Sequence, residues 1–197
     1  MATSENKVCF GLKNVYYAIL TEGASNSWGN PVAILGAVNL TLNADVASSD
    51  FYADNVTYYK AFANNGYTGS LEVARFPDAM LKDVFGMSQD ATSKVIYEKT
   101  GVQPKPFALL FQIDGDADQE LNVLYRCLPT GKPTPGSQTI KESAEPVTQS
   151  VDLSALPLVT GTTEQLGLIK ARTAHDTPTA TREAWFTTVN VPPTPSP

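Results

Sequence analysis

Polar and apolar residues alternate along several segments of the chain with the two-residue period of a half-buried β-strand. The clearest case is the segment 37–46, AVNLTLNADV. Its apolar positions share one face: Val38, Leu40, Leu42 and Ala44. Its polar positions share the other face: Asn39, Thr41, Asn43 and Asp45. The pattern predicts a strand in a sheet that has one dry face and one face in water.

Related patterns predict further strands at 13–20, 67–76, 93–99, 138–152, 166–173 and 183–191, and a β-hairpin at 107–128. In YTGSLEVARF, residues 67–76, the polar side chains Thr68, Ser70 and Glu72 share one face. The sequence therefore predicts one mainly β domain over residues 1–190. A proline-rich tail, residues 191–197, follows it.

One helix is predicted, at residues 77–86, PDAMLKDVFG. Pro77 suits the first helical position, and Asp78 suits the positive end of the helix dipole. Gly86 can end the helix in the left-handed conformation. The apolar residues share one face, which is expected to pack on the sheet: Met80, Leu81, Val84 and Phe85.

The segment 46–66 is rich in aromatic residues but is interrupted by Ser, Asn and Asp. It is predicted to be a long excursion with a short strand near 56–62. Connections of this length are usually functional or are stabilised by contacts made elsewhere. Its aromatic side chains are candidates either for a sugar-binding platform or for contacts with another protein chain. They are Phe51, Tyr52, Tyr58, Tyr59 and Phe62.

Carboxylates occupy every second position of QIDGDADQEL, residues 112–121, as they do in calcium-binding loops. The EF-hand pattern fails, because Gln119 stands at position 6, where a glycine is needed, and Tyr125 stands at position 12. The flanking segments have strand patterns and not helical ones. The stretch is therefore predicted to be the acidic turn of a β-hairpin, curled into solvent because carboxylates on one extended face repel one another.

Composition and charge argue against several classes of protein. The 197 residues are 42% hydrophobic and only 17% charged, with a formal net charge of −6. Without a cluster of Lys or Arg, the sequence does not fit a protein that reads DNA sequence. No apolar run is long enough to span a membrane. Cys9 and Cys127 do not form a disulfide framework, and Cys127 is predicted to be a reduced thiol in the core.

Candidate catalytic groups do not combine into an enzyme. The single histidine, His175, lies in a polar stretch predicted to be a loop, and no nucleophile motif is present. One histidine and two distant cysteines do not fit a zinc site. Asp50 and Asp54 would be the carboxylates of a hydrolase, which remains the least favoured hypothesis. Neither a cofactor nor a metal is predicted.

The order of these segments resembles the major tail proteins of long, non-contractile-tailed bacteriophages, the subunits of the tail tube. The resemblance covers roughly residues 7–190. It rests on GLKNVYYAIL, AVNLTLNAD, the FYADN segment, TGSLEVARFP followed by a helix that ends in FG, and PFALLFQIDG. The chain departs from some relatives, in which a further immunoglobulin-like domain follows the proline-rich segment.

The resemblance implies a β-sandwich or small barrel-like fold with one flanking helix. It also implies a structural protein of the virion, without enzymatic activity, that is assembled in the host cytoplasm. Six copies form a ring, and the rings stack into a tube through which double-stranded DNA is ejected. The expected partners are further copies of the chain, the tape-measure protein, the tail terminator and the distal tail or baseplate protein. In the family, the excursion at 46–66 reaches the neighbouring ring.

The resemblance also predicts that the polar faces of the two strands line the lumen of the tube. The residues expected to face the lumen are Asn39, Thr41, Asn43, Asp45, Ser70 and Glu72. The aromatic residues of 46–66 become candidates for contacts between subunits. The alternative is a β-sandwich carbohydrate-binding or adhesion module that uses Tyr52, Tyr58 and Tyr59 as its platform.

Overall fold

A computed structural model describes residues 11–53, 56–115, 119–135 and 147–193. Within these ranges the chain is mainly β, with antiparallel sheets and two short helices. The strands are β1 Leu12–Thr21, β2 Ser27–Trp28, β3 Val32–Ala33, β4 Ala37–Ala53, β5 Val56–Val73, β6 Ser88–Gln89, β7 Ile96–Tyr97, β8 Phe107–Ile113, β9 Leu121–Pro129, β10 Thr134–Pro135, β11 Gln149–Ala155 and β12 Lys170–Arg172. The helices are α1, Asp78–Asp83, and α2, Thr179–Ala184.

Ten strands form one sheet, whose main path is β2-β1-β8-β9-β11-β5-β4. The segment from β3 to β4 brings the two ends of this path together. At one end Ile34 donates a backbone hydrogen bond to Val15 on β1, and at the other Gly36 accepts one from Ala74, just after β5, each at 2.7 Å. The sheet therefore curls back on itself in the manner of a small barrel. β6 and β7 form a separate two-stranded sheet.

The larger hydrophobic cluster lies on the inner face of the curled sheet. It combines alternate residues of β1, β5, β8, β9 and β11 with the apolar face of α1. Met80 and Val84 are fully buried there, and Phe85 is nearly so. Tyr17 of β1 donates a hydrogen bond from its hydroxyl to Asp83 at 3.1 Å, which ties the helix to the sheet. The helix thus closes the inner face of the sheet.

A second cluster covers the outer face of β1, β8 and β9. The segment after β11 lies over these strands and buries Leu158 and Trp185 against them. Because these three strands are covered on both faces, β8 is a nearly continuous apolar run, FALLFQI, and not an alternating one. By contrast, β4, β5 and β11 keep one polar face, which is the basis of the site described below.

Most of the predicted strands are confirmed: β1, the start of β4, the end of β5 and the β8–β9 hairpin lie where the alternation indicated. The helix is confirmed but shorter than predicted, with Pro77 as its N-terminal cap and not its first residue. Gly86 has φ of +68°, the left-handed conformation expected after a helix. Cys127 is fully buried, as predicted, whereas Cys9 lies outside the described residues.

Three strand predictions are wrong or too long. Residues 183–191 do not form a strand: α2 ends at Ala184, and the chain then continues without regular structure. Trp185, which is buried, and Phe186, which is partly buried, anchor this segment by packing on the second cluster. The strand predicted at 93–99 is only the two residues of β7, and that at 166–173 only the three residues of β12. Of 138–152, the structure describes only the part from residue 147, which enters β11 at Gln149.

Candidate functional site

The candidate site is a polar sheet face built from three neighbouring strands, β4, β5 and β11. The strand register places Asn39 beside Glu72, Thr41 beside Ser70 and Asn43 beside Thr68. Residues paired directly across antiparallel strands share a face. The same three β5 residues pair on their other side with residues of β11, in the order Ser150, Asp152 and Ser154. The polar face therefore consists of three rows of three polar side chains.

Five of the six candidate polar residues belong to these rows: Asn39, Thr41, Asn43, Ser70 and Glu72. The sixth, Asp45, continues the same face of β4 and pairs with Gly66. Asn39 and Thr41 are exposed, and the Asn39 amide donates to the Thr41 hydroxyl at 3.4 Å. The structure thus places the candidate residues on one face of one sheet.

Sequence reasoning missed the third strand of this face. The signal was present in SVDLSA, because Val151, Leu153 and Ala155 are buried while Ser150 and Asp152 between them are exposed. A single strand pattern does not reveal its neighbours in the sheet. The pairing of β11 with β5 connects residues about 80 positions apart in the sequence, and only the folded structure shows it.

The opposite, apolar face of β4 differs from the expectation. Leu40 and Leu42 pack against the core as predicted, whereas Val38 and Ala44 are exposed. A register shift between Ala37 and Asn39 leaves Val38 without a partner on β5, so it does not lie over the core. Ala37 takes that position and packs against the core. The bulge therefore interrupts the alternation between Ala37 and the residues that follow Val38.

Two glycines allow the strands of the polar face to lie close together. A Cβ atom on Gly69 would stand 1.8 Å from the Thr41 carbonyl oxygen. A Cβ atom on Gly66 would stand 2.0 Å from the Ala155 carbonyl oxygen, and Gly66 has φ of +110°. Gly66 lies at a register shift where Asn65 has no partner on β4. Both positions therefore require glycine.

The charge on the polar face is negative. Its charged residues are Asp45, Glu72 and Asp152, and no Lys or Arg lies in the three described rows. The Glu72 carboxylate accepts a hydrogen bond from the Thr148 hydroxyl. The remaining side chains are neutral amides and hydroxyls. Such a face offers phosphate groups no cationic partner, and its few carboxylates repel them.

Beyond Asp45 the strands β4 and β5 continue as a two-stranded ribbon, here called the extension, residues 46–64. Residues of β4 and β5 pair along the whole extension, from Val46 with Asn64 at one end to Ala53 with Val56 at the other. The register shifts once along it, between Phe51 and Tyr52. The predicted short strand at 56–62 is thus part of an 18-residue strand. At about 3.4 Å per residue, the eight residues from Val46 to Ala53 extend about 27 Å.

The exposed aromatic residues of the extension do not share one face. Phe62 pairs with Ser48, on the face that continues the inner, apolar side of the sheet. Tyr59 pairs with Phe51 on the opposite face, which continues the polar side. Tyr58, Tyr59 and Phe62 are 75%, 63% and 69% exposed. The side chains of Phe51 and Tyr52 lie outside the described part of the structure, although their backbone belongs to β4.

The residues considered for catalysis or ion binding do not come together. His175 is exposed in a turn, as expected from the sequence. Asp50 forms an ion pair with Lys60 at 3.4 Å, and Asp54 lies outside the described residues. Within the described ranges, no group of three or more His, Cys, Asp or Glu residues is placed to hold a metal ion.

The acidic turn between β8 and β9 contacts the same chain. Glu120 accepts a hydrogen bond from Arg172 of β12 at 2.7 Å, so at least this carboxylate has a partner within the subunit. Arg182 of α2 donates to the Gln119 carbonyl oxygen at 3.2 Å. Residues 116–118 of the turn lie outside the described part of the structure.

Neither helix of the described residues has the length or the apolar character of a membrane span. Compared with known proteins, the chain matches no protein-family model. It also matches no curated protein in sequence.

Proposed function

We propose that the protein is a structural, self-assembling subunit of a bacteriophage tail tube. In this proposal six copies form a ring, the rings stack, and the polar face of β4, β5 and β11 lines the channel. The observation that carries the proposal is the combination of this polar face with an unsupported extension built from two of the same strands. The resemblance in the order of the sequence segments supports it.

The chemistry of the polar face suits the wall of a DNA channel. Most of the strength of DNA binding comes from Lys and Arg contacts with phosphates and from the counterions that these contacts release. A channel wall has to avoid such binding, since the DNA must slide past it. Hydroxyls, amides and the three carboxylates of Asp45, Glu72 and Asp152 meet this requirement.

The extension suits assembly, because an isolated two-stranded ribbon is only marginally stable in water. The described residues of the extension are almost all exposed, and its hydrophobic side chains include Val46 at 54% and Val56 at 60%. Contacts with another copy of the chain would compensate for the cost of ordering it. This fits an element that joins one ring to the next.

The proposal also implies where the protein resides and which partners it meets. The protein would reside in the virion after assembly in the host cytoplasm and would have no enzymatic activity. It would meet the tape-measure protein inside the tube, and the tail terminator and the distal tail or baseplate protein at the tube ends. Double-stranded DNA would pass through without sequence-specific contacts.

The alternative, a carbohydrate-binding or adhesion module, is supported less well. A flat sugar platform requires aromatic rings on one face. The register places Tyr59 and Phe62 on opposite faces of a narrow ribbon, so Phe62 cannot extend a platform built on Tyr59. The long extension also has no evident role in such a module.

Electron microscopy of the purified protein distinguishes the two functions. Hollow rings or tubes with a central channel are expected for the tube subunit. A persistent monomer that binds glycans in an array would instead support the module.

A further inference from the structure

A register shift where the polar face meets the extension leaves one asparagine outside the strand pairing. Along β5, Asn64 and Gly66 each pair with a residue of β4, whereas Asn65 between them has no partner there. The pairing of β5 with β11 reaches only as far as Tyr67. Asn65 is also exposed. The ladder therefore does not restrain the backbone of Asn65 as it restrains the residues on either side.

The residue that follows is a glycine, and the fold requires it. Asn65 and Gly66 form the only Asn-Gly pair among the 197 residues. Gly66 has φ of +110°, and a Cβ atom there would stand 2.0 Å from the Ala155 carbonyl oxygen. Because glycine has no side chain, nothing shields its backbone nitrogen from the side chain of the preceding residue. The close packing of β5 on β11 thus keeps a reactive dipeptide at this point.

The reaction open to an Asn-Gly pair is deamidation, and asparagine is among the thermally labile residues of proteins. The glycine nitrogen loses its proton to a base and attacks the carbon of the asparagine side-chain amide. A ring C–N bond forms, the amide C–N bond breaks, and the amide nitrogen leaves as ammonia with a proton from solvent. Water then opens the five-membered ring at either carbonyl, which gives aspartate or its β-linked isomer. In sum, the amide and water become a carboxylate and ammonium.

The neighbouring asparagine holds the attacking nitrogen. The Gly66 amide donates a hydrogen bond to the Asn64 side-chain oxygen, Oδ1, at 3.1 Å. This bond directs the amide towards Asn64 and has to break before the nitrogen can reach the Asn65 side chain. Gly66 is also buried, which restricts access of base to its nitrogen. Both features slow the attack relative to a free peptide of the same sequence.

We infer that Asn65 is a site of spontaneous deamidation in the folded subunit, and that the Asn64 side chain slows the reaction. The inference is independent of assembly and stands or falls separately from the proposed function. The product places a carboxylate next to Gly66, whose partner on β4 is the exposed Asp45. The polar face thus gains negative charge at its junction with the extension, in a chain whose net charge is already −6. The β-linked product also lengthens the backbone at the bulge from which the extension leaves the sheet.

Mass spectrometry of the purified chain during storage in neutral buffer measures the reaction. Trypsin releases residues 61–75 as one peptide, because Lys60 and Arg75 bound it, and fragmentation distinguishes position 64 from position 65. We expect conversion of the amide to a carboxylate at Asn65 before any other asparagine of the folded chain reacts. A synthetic peptide of residues 61–75 should react several-fold faster, because it lacks the burial and the fixed hydrogen bond.

Asn64→Ala removes the acceptor of the Gly66 amide and tests the role assigned to Asn64. In the folded chain the rate at Asn65 should increase several-fold, whereas in the synthetic peptide the same change should leave the rate nearly unaltered. Asn30→Ala is the matched control, because Asn30 is also exposed but lies between β2 and β3. Its rate at Asn65 should equal that of the unaltered protein.

Thermal unfolding establishes that both variants are folded. If Asn64→Ala is not, Asn64→Val replaces it, since valine suits a strand and also offers no acceptor.

Each outcome decides one part of the inference. An intact Asn65 in the folded chain, over a period in which the peptide converts completely, would contradict the site, as would earlier conversion of another asparagine. An unchanged rate in folded Asn64→Ala, or an equal increase in the peptide, would contradict the role of Asn64. A protein that deamidates at Asn65 but forms neither rings nor tubes would support the inference and count against the proposed function.

Discussion

Asp152 on β11 stands directly opposite Ser70 on β5, and Ser70 in turn stands opposite Thr41 on β4. This relationship extends the polar face from two strands to three. It also places a carboxylate in the middle of the proposed channel wall. The face is continuous because all three strands alternate in phase, with Leu40, Leu71 and Val151 on the opposite, core side.

Reversing the charge at Asp152 should make the wall adhere to DNA. In tubes of Asp152→Lys, every subunit would add a cation to the channel, and the cations would bind phosphates with release of counterions. We expect labelled double-stranded DNA to co-sediment with these tubes at low salt and to dissociate steeply as salt increases. Glu183→Lys, the same change at an exposed position of α2, is the control and should bind much less. Equal DNA binding by the two variants would place Asp152 outside the channel.

Gly69→Ala should destabilise the subunit strongly. The new Cβ would stand 1.8 Å from the Thr41 carbonyl oxygen, so two strands of the polar face would have to separate. Overpacking of this kind costs about 3 kcal/mol. Gly131→Ala is the control, because a Cβ there meets no atom within 4 Å, and its effect should stay within about 0.5 kcal/mol. Urea unfolding measures both, and similar midpoints for the two variants would argue against the described strand packing.

The turn between β6 and β7 should depend on the ionisation of Asp90. Hydrogen bonds from Ser93, through its backbone amide at 2.6 Å and its hydroxyl at 2.8 Å, and from the Thr92 amide lower the pKa of Asp90. A lowered pKa means that the stabilisation is present above the unfolded value of about 3.9 and is lost as the pH falls through the folded pKa. The amide resonances of Thr92 and Ser93 should therefore shift with a midpoint below 3.9. In Asp90→Asn this titration should disappear; if it persists, another group is responsible.

Cys127 should be inert towards thiol reagents in the folded protein. Burial raises the pKa of its thiol well above the usual range, so the reactive thiolate is scarce and inaccessible. Mass spectrometry of peptides after maleimide treatment at pH 8 should show Cys127 unmodified in the native protein and modified in urea. Rapid labelling of the native protein would indicate that the β8–β9 hairpin opens readily.

The sequence predicts those parts of the fold in which burial leaves a periodic pattern. β1, the beginning of β4 and the β8–β9 hairpin were recognisable, because their apolar residues face a core. In the extension the pattern is lost, since residues 46–50 are exposed and neither of their faces packs on a core. The sequence therefore predicts only a long excursion with a short strand near 56–62, where the structure has a continuous two-stranded ribbon.

In the C-terminal segment, by contrast, the composition predicts a strand that the structure does not have. Residues 183–191, EAWFTTVNV, have the β-branched and aromatic composition of a strand. The segment instead begins with the last two residues of α2, and Trp185, Phe186, Val189 and Val191 pack on the second core cluster. Trp185 buries its ring and donates from its indole nitrogen to the Asn122 carbonyl oxygen at 3.4 Å. Tertiary packing overrides local strand propensity here. The polar face itself was only partly predictable, because no local pattern reveals that β11 pairs with β5.

The orientation of the polar face in assembled particles tests the proposed function most directly. A cryo-electron microscopy reconstruction of rings or tubes of the purified protein would show which surface lines the channel. The account predicts six subunits around a channel lined by the β4–β5–β11 face, with Thr41, Ser70 and Asp152 pointing into the lumen. A channel lined by Lys or Arg, a polar face turned to the exterior, or a protein that remains monomeric would contradict it.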